Sequence, residues 1–101
     1  MTADAQIEQA IVAAGATVAP RVTPADVAAA IVSETYTVLP SGRVTVCELT
    51  LKNGFTVRGE SAVVFIENFD GEIGRRVAKE NATREVWQLL GYELRSKLVA
   101  N

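Results

Sequence analysis

Histidine is absent from this 101-residue chain, and cysteine occurs once, as Cys47. Without an imidazole there is no Ser-His-Asp or Cys-His catalysis, no His-bearing zinc site and no ordinary proton relay near neutral pH. One thiol makes no internal disulfide. Cys47 lies between Val46 and Glu48 with no cation beside it, so it reads as a small buried hydrophobe and not as a nucleophile. An excess of basic charge is also missing: ten Lys and Arg stand against twelve Asp and Glu, a formal charge of −2. Nothing in that balance draws the chain to extended nucleic acid or to an anionic membrane. Long apolar runs are lacking as well. The stretch Ala62-Val63-Val64-Phe65-Ile66 is far short of the roughly 18–20 residues that span a bilayer, so no membrane partner is expected. The opening MTADAQIEQAIVAAG has neither the basic region nor the continuous apolar run of a signal peptide, which places the expected site of action in a reducing cytoplasm.

What is present suits a single domain over residues 1–101: 49% of the chain is apolar and 22% charged. Residues 1–22 read as a helix plus connector, and 23–101 as the core. Ile7, Ala10, Ile11 and Ala14 repeat at helical spacing across residues 3–14, and Gly15 is the natural stop. Thr23-Pro24-Ala25-Asp26 opens a second short helix, with Thr23 as N-cap and Pro24 where its missing N–H costs nothing. Val27, Ala30 and Ile31 carry that helix to about Ser33.

Beyond Glu34 the residues become β-branched and aromatic. Thr35 to Leu39 and Arg43 to Leu51 read as strands joined at Pro40-Ser41-Gly42. Asn53-Gly54 predicts a two-residue hairpin leading to a third strand from Phe55 to about Gly59. That loop sets Thr50 opposite Val57 and Leu49 opposite Arg58. One face then carries Val44, Val46, Thr50, Phe55 and Val57, the other Cys47, Leu49 and Leu51. Both faces are part-apolar, which marks one of them either as an association surface or as the seat of the N-terminal helices. Ala62 to Ile66 leans toward a fourth strand. Asp70-Gly71-Glu72 then opens the longest helix, whose Ile73, Val77, Ala78, Ala82, Val86, Leu89 and Leu90 keep helical spacing to a kink or stop at Gly91, after which Tyr92 to Val99 continues helically with Leu94 and Leu98 one turn apart. The expected fold is α+β: short N-terminal helices, a three- to four-stranded antiparallel meander, and a long C-terminal helix packed on the sheet.

No catalytic or metal-binding set emerges, no cofactor is expected, and the chain is read as a non-enzyme. The carboxylate pairs Glu67 with Asp70 and Glu80 with Glu85 lack a nucleophile or a phosphate loop and read as solvated faces. Gly71-Glu72-Ile73-Gly74 matches neither the dinucleotide fingerprint nor the P-loop. The basic and aromatic residues of the last third are more informative. Arg75, Arg76, Lys79, Trp87, Tyr92 and Arg95 are the candidate ligand-binding residues; Arg84 and Lys97 belong to the same basic stretch but not to the candidate set. Guanidinium groups bind phosphate bidentately and the rings stack on a base, a combination that suits a nucleotide. The alternative is that Glu72, Glu80 and Glu85 pair with these cations while Trp87 fills the core.

Several blocks in fixed order carry a resemblance. Leu51-Lys52-Asn53-Gly54-Phe55, Gly59-Glu60-Ser61-Ala62, Asn68-Phe69-Asp70 and Gly91-Tyr92, over about residues 23–98, resemble a family of small tailed-phage proteins. The family is named after gene products of an N-four-type coliphage and a Shigella podophage. The chain departs from its pattern at Val63 to Glu67, where relatives commonly have a Cys and a Pro-bearing loop, and at Leu90, where they tend to have Glu. The resemblance implies a phage accessory protein acting in the host cytoplasm, with no activity attached to the family name. By analogy with accessory proteins of this size it implies a counter-defence factor. The leading expectation is a homo-oligomeric sponge that sequesters a small anionic ligand, a cyclic nucleotide immune signal of the host. The alternatives are an anti-CRISPR-like inhibitor that binds a host defence protein, or a structural accessory factor.

Overall fold

The computed structural model describes residues 6, 7, 9, 10 and 19–100. The expected N-terminal helix over 3–14 and most of the connector after it therefore lie outside the described residues, although 6, 7, 9 and 10 are helical. The ordered elements run α1 (Pro24–Ala30), β1 (Ile31–Val38), β2 (Val44–Leu51), β3 (Thr56–Ala62), a 3-10 turn (Ile66–Asn68) and α2 (Gly71–Val99). The strands form an antiparallel meander in the order β1-β2-β3, and α2 packs on β2 and β3. The chain thus has the expected α+β architecture, with three strands.

Helix α1 opens on a capping box. The Asp26 N–H donates to Thr23 Oγ1 at 3.2 Å and the Thr23 N–H donates to Asp26 Oδ2 at 2.9 Å. It ends at Ala30, three residues before the expected Ser33, because Ile31 pairs with Leu51 at the start of β1. The β-branched Ile31-Val32 favours extended backbone, and β1 absorbs one extra residue in a bulge between Ile31 and Ser33.

The second hairpin differs from expectation by one residue. The Gly54 N–H donates to Leu51 O at 2.9 Å and the Leu51 N–H donates to Phe55 O at 2.8 Å, so the loop is Lys52-Asn53-Gly54. Within this loop only Gly54 takes a positive φ, at 88°, the left-handed position of a three-residue hairpin. Leu49 consequently faces Val57, Glu48 faces Arg58 and Thr50 faces Thr56. Because side chains alternate along a strand, this single-residue shift moves Val57 to the face of Cys47, Leu49 and Leu51. The two part-apolar faces resolve into one core face and one richer in Thr and charge, carrying Thr35, Thr37, Glu48, Thr50, Arg58 and Glu60. Among the described residues the short helix does not cover that second face, since Val27 of α1 joins the same core as α2.

Core positions Val27, Cys47, Leu49, Leu51, Val57, Ala78, Ala82 and Val86 are all buried. The α2 stripe Ala78, Ala82, Val86 consists of small and medium residues, so the helix approaches the sheet closely. At the crossing point lies Gly59: a Cβ there would stand 2.1 Å from Ala82 N and 2.5 Å from Ala78 O. The backbone of α2 rests on a strand position that has no side chain. The Ser61 hydroxyl adds a tie by donating to Gly74 O at 2.9 Å.

Two further expectations are corrected. The fourth strand over Ala62 to Ile66 is not formed: β3 ends at Ala62, one more bond joins the Val63 N–H to Arg43 O at 3.0 Å, and the chain turns into the 3-10 segment. The apolar run Val64-Phe65-Ile66 is exposed and has no neighbouring strand to pair with. Gly91 does not end α2, which runs unbroken from Gly71 to Val99, 29 residues in all. A single glycine weakens a helix by about 1 kcal/mol, too little to break one whose preceding turns are anchored on the sheet through Ala78, Ala82 and Val86.

Two glycine substitutions test this architecture in opposite directions. Gly59→Ala is expected to lose at least about 3 kcal/mol or fail to fold, because the neighbouring atoms are helix backbone that has nowhere to move. Gly91→Ala, where a new Cβ meets nothing within 4 Å, is expected to gain roughly 0.5–1 kcal/mol. Urea denaturation of both variants reads the difference.

Candidate functional site

A groove of about 770 Å³ runs between α1 and the start of β1 on one side and the middle of α2 on the other. Its first wall consists of Pro24, Val27, Ala28, Ile31, Val32, Ser33 and Glu34. The second wall is a stripe of α2: Arg76, Lys79, Glu80, Thr83, Arg84 and Trp87. These positions share a side because residues three and four apart on a helix are neighbours. The groove therefore joins an apolar wall, an indole ring, three cations and two carboxylates.

Of the six residues expected from the sequence, the fold brings three together here: Arg76, Lys79 and Trp87. Arg75 turns back toward the first turn of α2, where its guanidinium would lie 3.2 Å from a Cβ on Gly71. Tyr92 and Arg95 are exposed and line neither this groove nor its apolar neighbour, Tyr92 at 78% exposure. At about 100° per residue, Tyr92 is displaced by roughly 140° around the helix from Trp87. Glu80 and Glu85 are also about 140° apart, and Asp70 serves as the N-cap of α2. The Asp70 carboxylate accepts from the Glu72 and Ile73 N–H groups at 3.0 and 3.1 Å, so Gly71-Glu72-Ile73-Gly74 offers its amides to the chain's own anion.

The cations find other partners than the sequence suggested. Lys79 reaches across to β1 and pairs with Glu34 at 3.0 Å, and the Arg84 guanidinium donates to Asn81 Oδ1. Asn81 in turn donates to Glu60 O at 2.7 Å, pinning α2 to β3. Trp87 is half-buried against the core, with part of its surface in the groove. The residue missed by sequence reading is Glu34, which looked like a strand opening. Its signal was spacing: Glu34 and Tyr36 are two apart on a strand and so share a face.

That pair links the groove rim to the core. The Tyr36 hydroxyl donates to Glu34 Oε2 at 2.8 Å, and Tyr36 stands opposite Cys47 in the sheet. Hydrogen bonds from Lys79 and then Tyr36 hold the Glu34 carboxyl below its ordinary 4.5. Burial, helped by the bond to Glu34, pushes the Tyr36 phenol far above its ordinary 10.0. Burial likewise pushes the Cys47 thiol above 9.0, against a smaller opposing effect of its hydrogen bond with Tyr36.

The comparisons with known proteins bear on the same region. A family model described as phage protein (N4 Gp49/phage Sf6 gene 66) matches residues 22–98. The chain belongs to this phage protein family. The match begins just before α1 and ends in the last turn of α2, so it contains the whole sheet and every residue of the groove. No curated protein and no solved structure matches the chain. Among the described residues no group of three or more Cys, Asp or Glu could hold a metal ion, and no helix is long and apolar enough to cross a membrane.

The Glu34, Tyr36 and Cys47 series fixes the sign of the pH dependence. A depressed carboxyl contributes stability above its ordinary pKa, which is lost as pH falls below about 4.5 through the lowered value. Raised phenol and thiol groups contribute stability below 10.0 and 9.0, which is lost as pH rises past those values. The urea midpoint is therefore expected to be level between about pH 5 and 8 and to fall on both sides. Tyr36→Phe should flatten the alkaline limb, and an unchanged limb would place the alkaline loss elsewhere.

Proposed function

We propose that this phage protein acts by binding and not by turnover, holding a small anionic ligand that carries a ring in the groove between α1, β1 and α2. The ligand class is a nucleotide, and the role is sequestration of a cyclic nucleotide signal used in host immunity. The observation that carries this reading is the placement of Arg76, Lys79 and Trp87 along one wall of a groove of about 770 Å³, a volume within the usual range for small-molecule sites. An indole offers a stacking surface, and a guanidinium offers two parallel donors to a phosphate. The carboxylates Glu34 and Glu80 suit the N–H groups of a base or the hydroxyls of a ribose. Sequestration needs affinity alone, and the groove supplies polar and stacking contacts on a rigid helix. Membership in a phage family supports a task performed inside an infected cell.

A second reading draws on a different surface. Val64, Phe65 and Ile66 are consecutive, apolar and exposed after β3, which favours a protein partner such as a host defence nuclease or effector.

Thermal denaturation against linear and cyclic nucleotides separates the two. A groove ligand is expected to raise the melting temperature by several degrees at 100 times its Kd, since that ratio corresponds to about 2.7 kcal/mol. Arg76→Ala should weaken binding at least about 10-fold, as befits a lost charge-assisted bond, while Tyr92→Ala should leave it unchanged. Nucleotide recovered intact after heat release supports sequestration. A panel that shifts nothing would leave the exposed apolar turn and a protein partner.

A further inference from the structure

The two edges of the sheet are finished differently. Between β2 and β3 the bonded positions are odd-numbered, as the Leu51 N–H to Phe55 O bond and the Val63 N–H to Arg43 O bond mark at either end. Alternation therefore turns the Glu60 C=O to the outer edge of β3. Helix α2 closes that edge, since Asn81 Nδ2 donates to Glu60 O at 2.7 Å. The other edge is β1. The Leu39 N–H donates to Val44 O at 2.8 Å, so the backbone groups of Thr37, Thr35 and Ser33 point to β2 and those of Glu34, Tyr36 and Val38 point outward. Among the described residues nothing bonds to these outward groups. Helix α2 leaves this edge open because it packs on β2 and β3.

Soluble proteins normally blunt such an edge with a short strand, with Lys or Pro, or with a bulge that interrupts it. Strand β1 is eight residues long, carries no Lys, Arg, Pro or Gly, and has its bulge at its very start, which leaves Ser33 to Val38 regular. Val32 and Val38 flank that stretch at 60% and 50% exposure. The one charge on the strand, Glu34, is already held by Lys79 at 3.0 Å.

We infer that β1 pairs antiparallel with β1 of a second copy about a two-fold axis at Thr35, joining the two meanders into one six-stranded sheet. The strand is complementary to itself in this register. Thr35 meets the partner's Thr35 in a non-hydrogen-bonded pair, with Cα atoms about 4.5 Å apart. Glu34 and the partner's Tyr36 form a hydrogen-bonded pair, and Tyr36 and the partner's Glu34 form another. Val38 falls opposite the partner's Val32, so the exposed valines cover each other. Sliding the partner two residues one way sets Glu34 against Glu34, a like-charge clash, and sliding it the other way sets Glu34 against Val38. This two-fold match selects a second copy over a foreign strand. The pairing stands apart from the ligand reading, yet it reaches the same site: Glu34 lines the Trp87 groove, so the partner's Tyr36 joins that wall. Both α2 helices then lie on one face of the joined sheet.

Light scattering after size exclusion, over a range of concentrations, is expected to give twice the single-chain mass. Thr35→Lys sets two ammonium groups face to face across the axis while standing beside Glu48 in its own sheet. It should fall to single-chain mass with its circular dichroism spectrum and urea midpoint kept. Thr35→Cys should cross-link two copies on oxidation, because the expected Cα separation suits a disulfide. Thr37→Cys, opposite the partner's Ser33, should not, and the buried Cys47 adds no background. A chain that stays at single-chain mass at every concentration overturns the proposal. An assembly that persists in Thr35→Lys, or that cross-links no better through residue 35 than through residue 37, overturns it as well.

Discussion

The backbone of α2 lies directly on Gly59, and the arrangement of everything else depends on that contact. With Ala82 N where a Cβ of residue 59 would need to be, the helix cannot rise off the sheet to make room for larger side chains. It meets the strands through Ala78, Ala82 and Val86, while the sheet answers with Thr45, Cys47, Leu49 and Val57. Close approach excludes water along the crossing and leaves the core thin. The helix is long and the sheet is only three strands wide, so much of α2 extends past it. The part alongside β1 and α1 becomes one wall of the Trp87 groove, and the C-terminal part becomes a wall of the apolar one.

Much of this was legible in the sequence because it rests on local chemistry. The Thr23-Pro24-Ala25-Asp26 cap, the Asp70 N-cap and the 3.6-residue spacing of Ala78, Ala82 and Val86 each announce themselves within a few residues. The order of the meander follows from its short connections. What failed was decided at longer range or by a single dihedral. Asn53-Gly54 suits a two-residue turn and also a three-residue one, and only the sign of φ at Asn53 separates them. That one angle decided which face Val57 occupies. Ile31 fits either the end of a helix or the start of a strand, and its pairing with Leu51 settled it. Gly59 carried no local signal, since its need to be glycine comes from a helix some twenty residues later.

The candidate site follows the same pattern. Arg76, Lys79 and Trp87 were legible as a set because helical spacing is a local rule, and Tyr92 and Arg95 were misgrouped with them although the same spacing carries these two away from the stripe. Glu34 was illegible as a groove residue because its contact with Lys79 crosses from β1 to α2. The Glu34–Lys79 pair is half-exposed, so it contributes little to stability, at most about 1 kcal/mol. Its larger consequence is local order: it fixes one cation of the groove against β1, while Arg76 stands beside it. The family match encloses all of these elements without naming a ligand, and the proposed phosphate-bearing ring rests on the chemistry of the groove alone.

Trp87 is the chain's single tryptophan, so all indole emission comes from this one groove-lining residue. Titration of the purified protein with cyclic nucleotides, following the emission of that one indole, tests the proposed site most directly. A ring stacked on Trp87 beside Arg76 predicts saturable quenching with a stoichiometry of one ligand per groove, lost in Arg76→Ala. Emission that stays constant while a nucleotide demonstrably binds would place the ligand elsewhere and contradict the assignment of this groove.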